Sequence, residues 1–207
     1  MNAMLTQPRR GSTPRGGATS EAGPAGKGGA RARSATIPPA HRLLAHTADV
    51  GLTASAATLP RLFVEAAAAL AELSADLDGN PPPAEPFDVA LRSHDLAGLA
   101  FAWLNELIGL CDARHAALAR TEVAAIEQRR ASTGRNPRAA SSGLHAAPRG
   151  PDAAPGQPAW DLTGRAWLLP YATGAARPRI GVKSATYHRL AVDRVPGGWR
   201  LVAFLDV

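Results

Sequence analysis

"SHDLAGLAFAWLNELIGLCD", Ser93 to Asp112, is the stretch that decides the fold. Leu96, Leu99, Ala100, Trp103, Leu104, Leu107, Ile108 and Cys111 recur at i, i+3, i+4 and i+7, which is one face of an α-helix. Ser93 or Asp95 can offer a side-chain oxygen to the orphan amides of its first turn. A second helix reads out of "TLPRLFVEAAAALAELSADL", where Leu59, Leu62, Phe63, Ala66, Leu70 and Leu73 stay close to helical spacing. Thr58 is its N-cap, and Pro60 fits the first turn, where no intrahelical N–H is needed. Around the two helices lie runs that alternate or are continuously apolar: 42–47, 50–56, 87–92, 119–127, 160–169, 180–193 and 199–206. Short turns join several of them, and in "VPGGWR" Gly197-Gly198 suits a hairpin. This pattern predicts an α+β fold: a two-layer sandwich of mostly antiparallel β-sheet with two main helices on one face.

The chain of 207 residues is 45% apolar, enough for one ordinary domain with a real core. Aromatic residues make up only 5%, so Leu, Val and Ala must build most of that core. No run of 18 apolar residues occurs, and the first residues lack the apolar stretch of a secretory signal. The single cysteine, Cys111, excludes an internal disulfide and fits a reducing cytoplasm. On its helical stripe it reads as a small core residue.

The net charge of +6 invites a nucleic-acid reading, but the distribution argues otherwise. Residues 1–40 are net +5 and residues 129–158 net +4, whereas 41–128 are −7 and 159–207 are +4. The basic excess therefore sits in two segments rich in Gly, Pro, Ala and Ser. Such composition buries too little apolar surface to offset ordering entropy. The expected organisation is a disordered basic extension over 1–40, or a misassigned start, followed by one domain over 41–207. A low-complexity loop at 129–158 interrupts that domain.

The chemistry-bearing residues are few. "HTADVG" places His46 and Thr47 at the end of one short strand and Asp49 at its junction with the next. Asp49 either makes an Asx-type turn or contributes a carboxylate to a site, and His46 alone reads as a satisfied, partly buried histidine. At the far end, "RLVAFLDV" turns Leu205 and Val207 to one side and Phe204 and Asp206 to the other. A carboxylate there, with the Val207 terminus beside it, needs either a salt bridge to Lys183 or Arg189 or a bound cation. Oxygen donors without a Cys or His cluster suit Ca²⁺, Mg²⁺ or Mn²⁺. In "GVKSATYHRLAV" an extended strand would put Lys183, Ala185 and Tyr187 on one face and Ser184, Thr186 and His188 on the other. Lys183 and Tyr187 are a binding pair or a solvated face. Phosphate-binding glycine loops, HExxH, CxxC and GxSxG are all missing.

Together, "HTADVG" at 46–51, "AWLNELIGL" at 102–110, "GVKSATYH" at 181–188 and the final "LDV" resemble the archease family. The resemblance covers about 41–128 and 159–207. It implies an archease-like fold and a protein that is not itself an enzyme. Such a protein promotes guanylylation and multiple turnover of the GTP-dependent RNA-splicing ligase, in tRNA splicing or RNA repair. It also implies a divalent-cation site, Ca²⁺ first and Mg²⁺ or Mn²⁺ next, at Asp49, Asp206 and Val207. Asp76 matches an aspartate seen after the family's first helix. With His46, Lys183, Tyr187 and His188 it forms the candidate partner-binding set. Ala102 departs from the family, which usually carries an acidic residue there. A cytoplasmic location without membrane contact follows, with weak RNA contact through the basic tail and loop. Two other classes remain: a divalent-metal hydrolase or nuclease using Asp49 and Asp206, and a basic RNA-binding module, whose phosphate contacts would be salt-sensitive.

Overall fold

The computed structural model describes residues 36–45, 50–79, 82, 84–129 and 159–207. The extension and loop expectations therefore fall almost wholly on residues outside the described ones, as do His46, Thr47 and Asp49. The elements run β1 (Ala40–Ala45), β2 (Val50–Ala56), α1 (Leu59–Ser74), β3 (Ala75–Leu77), β4 (Glu85–Ser93), α2 (Leu96–Arg114) and β5 (Ala116–Arg129). There follow β6 (Ala159–Pro170), a 3-10 turn at Tyr171–Thr173, β7 (Ala176–Pro178), β8 (Ser184–Val195) and β9 (Gly198–Asp206). The α+β expectation holds. The strands form three sheets, ordered β1-β2-β9-β8, β4-β6-β5 and β3-β7, and every pair is antiparallel.

Both helices start where local chemistry says they should. The Thr58 hydroxyl accepts the Arg61 amide at 3.4 Å, and Pro60 sits in the first turn. For α2 the cap is Asp95, whose Oδ1 accepts the Gly98 amide at 2.6 Å. The helix runs two residues past Asp112, because His115 takes a left-handed conformation (φ 47°) and closes the end with its own N–H. α1 packs on β1, β2, β5 and α2, while α2 packs on β4, β5, β6 and β8. One core joins them, built on Leu52, Phe63, Leu70, Trp103, Leu107, Leu162 and Leu205. Trp103 is fully buried, and its indole N–H donates to the Phe63 carbonyl at 3.0 Å, which satisfies the one polar atom it carries inside. At 19 residues, α2 is long and apolar enough to cross a membrane by length and composition alone. Here six of its side chains fill the core.

Three strand readings change. β8 begins at Ser184, so 180–183 is not strand. The hairpin turn between β8 and β9 is Pro196-Gly197, with Gly197 at φ 83°, while Gly198 already pairs with Val195. A Cβ at Gly198 would meet the Ala56 carbonyl at 2.3 Å, so that glycine serves close strand approach rather than the turn. The short pair β3-β7 escaped sequence reasoning because three-residue strands carry no readable period. At the front of the domain, Ile37 already bonds the Gly197 carbonyl at 3.1 Å, and Ala40 pairs with Ser55.

Candidate functional site

β9 is an inner strand of its sheet, and that placement builds the site. Its pairing with β2 sets Val50 opposite Leu205, and its pairing with β8 sets Ser184 opposite Asp206. The residue before Val50 in the chain is Asp49. Leu205 is buried and Asp206 exposed, as strand alternation requires. Lys183 donates its main-chain N–H to the Asp206 carbonyl at 2.8 Å and its ammonium to the main-chain oxygen of Val207 at 2.9 Å. The lysine thus meets Val207 rather than the Asp206 carboxylate, which has no ion pair among the described residues. Three of the expected residues, Lys183, Asp206 and Val207, come together at one end of one sheet.

The donor chemistry there is all oxygen, which suits a hard divalent cation. The Val207 oxygen already holds an ammonium, so a metal at that atom would share it or displace the lysine. Among the described residues, no three of His, Cys, Asp and Glu converge. Asp49 and His46 lie outside those residues.

The other expected residues have different surroundings. Asp76 belongs to β3, where its Oδ1 accepts from Arg179 Nη1 at 3.1 Å across the short two-stranded sheet. Tyr187 and His188 do not follow simple alternation. Thr186 pairs with Phe204 and Ala191 with Val202, so Tyr187 to Leu190 leave the ladder opposite Ala203 alone. Within this bulge Arg189 has φ 54°, a left-handed conformation that costs a non-glycine residue. Tyr187 is 63% exposed, yet its ring lies on Phe101 of α2 with centroids 3.9 Å apart and planes 17° from parallel. His188 meets the ring of Phe204 edge-on at 6.1 Å.

Sequence reasoning missed the residue that holds this edge. Asn105 Oδ1 accepts the Ala185 amide at 3.0 Å, and its Nδ2 donates to the Ala185 carbonyl at 3.3 Å. One side-chain amide takes the place of a further strand on β8. The available signal was an asparagine inside an otherwise apolar helical run. Glu106 follows it, with a carboxyl that burial pushes above the ordinary carboxylate range.

Cys111 packs against the core as expected, and burial pushes its thiol up to about 12. It lines a cavity of about 220 Å³ with Ser74, Ile108, His115, Tyr171 and Ile180. Such a thiol is protonated at neutral pH and is a poor nucleophile. A wider depression of about 400 Å³ lies on β4-β6-β5, beside the Asp88–Arg165 ion pair and away from the last strand.

The fold and the edge define a small α+β protein whose final strand is enclosed by its neighbours and brings distant segments to one end. The sequence pattern of the archease protein family (MTH1598/TM1083) matches residues 41–207, and the chain belongs to that family. Protein archease of Pyrobaculum neutrophilum is 40% identical over 83 residues, 40% of this chain and 56% of the relative. Protein archease of Pyrobaculum islandicum is 37% identical over 83 residues, with the same coverage. The matched stretch thus spans a little over half the length of these curated relatives. The solution structure of Methanobacterium thermoautotrophicum protein 1598 superimposes with a TM-score of 0.57, covering 81% of this chain and 98% of that one. At 22% identity this likeness is one of fold.

Proposed function

We propose that this protein activates a GTP-dependent RNA ligase, promoting guanylylation of the ligase rather than catalysing a reaction of its own. Membership of the archease family supports the reading, and one structural observation carries it. The β2–β9–β8 register brings Lys183, Asp206 and Val207 together and sets the start of β2 beside them. A function performed at that end needs residues from three separate parts of the sequence, which an ordinary surface strand would not.

Asp49, Asp206 and Val207 are the proposed holders of a divalent cation, Ca²⁺ first and Mg²⁺ or Mn²⁺ as alternatives. Such an ion would supply positive charge to nucleotide phosphates presented by the ligase. The chain's own residues do the remainder. The exposed Asp206 carboxylate faces outward where a partner can reach it. Lys183 ties the segment before β8 to the last residue and offers a cation of its own. Asn105 holds β8 in register from the helix side.

The test is single-turnover guanylylation of the cognate ligase with GTP and divalent metal, with and without this protein, beside a blank lacking ligase. A faster ligase–GMP adduct is expected, with no nucleotide turnover in the blank. Asp206→Ala should keep the wild-type melting temperature and lose most of the acceleration. It should also lose the calcium-dependent rise in melting temperature expected of the wild type. Full acceleration by the variant would remove the proposed metal-edge mechanism.

A further inference from the structure

α2 is apolar around most of its circumference, although only one side of it fills the core. Leu99, Ala100, Trp103, Leu104, Leu107 and Ile108 are buried. At about 100° per residue, Ala102, Gly109 and Ala113 lie together on the side away from the core, and Glu106 borders them, about 20° round the helix from the buried Leu99. An outward helix face ordinarily carries several long charged side chains. This one carries a single charge, Glu106, between Asp95 and Asp112. Its carboxyl is raised by burial, and it has no cationic partner among the described residues.

Gly109 adds a second observation. It is exposed in the middle of a 19-residue helix, and a Cβ placed there meets nothing within 4 Å. Within the chain an alanine would fit and would favour the helix. A glycine at an open position is useful where something outside comes closer than a methyl group permits. The flat ring of Tyr187 lies exposed on Phe101, the residue before Ala102 in α2.

The charges decide what kind of partner fits. Phosphates would be repelled by Glu106, and the only basic residue of α2, Arg114, is turned onto the Phe87 ring at 4.5 Å. A protein surface with one arginine or lysine inside an apolar patch is complementary in both charge and shape. We propose that the Ala102–Glu106–Gly109–Ala113 face of α2, continued by Tyr187, is the docking surface for such a protein. Resting on the reading above, that partner is the RNA ligase. Docking through α2 would then be separate from the action of the Asp206 end.

The experiment measures ligase affinity and ligase guanylylation for the full chain and for Gly109→Gln, Glu106→Lys and Asp206→Ala. Gly109→Gln has open space to enter, and it should fold with an unchanged or higher melting temperature. It should weaken ligase binding at least tenfold, as should Glu106→Lys, and saturating protein should restore guanylylation. Asp206→Ala should bind as the wild type does without activating. Wild-type affinity in both α2 variants, alongside an active wild type, would overturn the docking surface and leave the activator reading standing. A wild type that neither binds nor activates would overturn both. A concentration-dependent dimer in sedimentation, abolished by Gly109→Gln, would overturn the proposal by assigning the face to a second copy of this chain.

Discussion

The two helices share one core and treat their polar residues in opposite ways. On α1 the charged groups are satisfied inside the chain. His41 of β1 contacts Glu65 Oε2 through Nδ1 at 2.9 Å and Glu72 Oε2 through Nε2 at 3.2 Å, while Arg61 holds Glu65 Oε1 at 2.8 Å. Glu65 is 7% exposed, the one buried charged residue among those described, and it has two partners. On α2 the charge that is half-buried, Glu106, has none there. The contrast teaches that α1 is complete as a structural element, clasped to an edge strand. α2 has a buried inner side and an outer side that carries the docking surface proposed above.

The comparison can be broken most severely at the shared core. Trp103→Ala removes a fully buried indole together with its hydrogen bond to the Phe63 carbonyl, so a loss of about 3–5 kcal/mol in urea unfolding is expected. A loss below about 1 kcal/mol would mean that the core relaxes around the site.

A smaller effect tests the α1 clasp. Glu65→Ala leaves both His41 and Arg61 without their central partner and should cost about 1–3 kcal/mol. It should also raise hydrogen exchange in β1 more than in β6, because β1 has only β2 beside it in its sheet. Uniform acceleration would show that the clasp does not act on the edge strand.

The smallest effect sharpens the α2 side. Burial raises the Glu106 carboxyl above its ordinary value of 4.5, so the folded state holds that proton more tightly than the unfolded one. Its favourable contribution is complete below the unfolded value and is lost as pH rises through the folded value. Glu106→Gln should therefore melt like the wild type near pH 4 and slightly higher at pH 7. Equal melting temperatures at both pH values would show that the carboxyl is well hydrated.

How much of this was legible in the residues depends on how local each cause is. The helix starts were legible because Thr58 and Asp95 lie three residues from the amides they cap. The α2 stripe was legible because helical periodicity repeats within a few residues, and Trp103, Leu104 and Leu107 are buried as that stripe requires. At the candidate site, the outward Asp206 and inward Leu205 follow from strand alternation alone. The regular alternation read across Lys183 to His188 failed, because the bulge that lifts Tyr187 is set by Phe101, Asn105 and the β9 register. Asp76 meets Arg179, 103 positions away in the chain, a pairing that no local pattern records.

By itself the sequence determined where the helices begin, which of their faces are apolar, that strands outnumber helices, and which family motifs lie along the chain. Each of these is set by interactions within one or two turns of backbone. Tertiary structure alone decided that β9 lies between β2 and β8, that Lys183 reaches Val207, and that α1 closes its charges while α2 leaves Glu106 without a cation among the described residues. Those outcomes depend on pairing between segments far apart in the chain. No local periodicity records which distant partner will meet a given carboxylate, or whether any will.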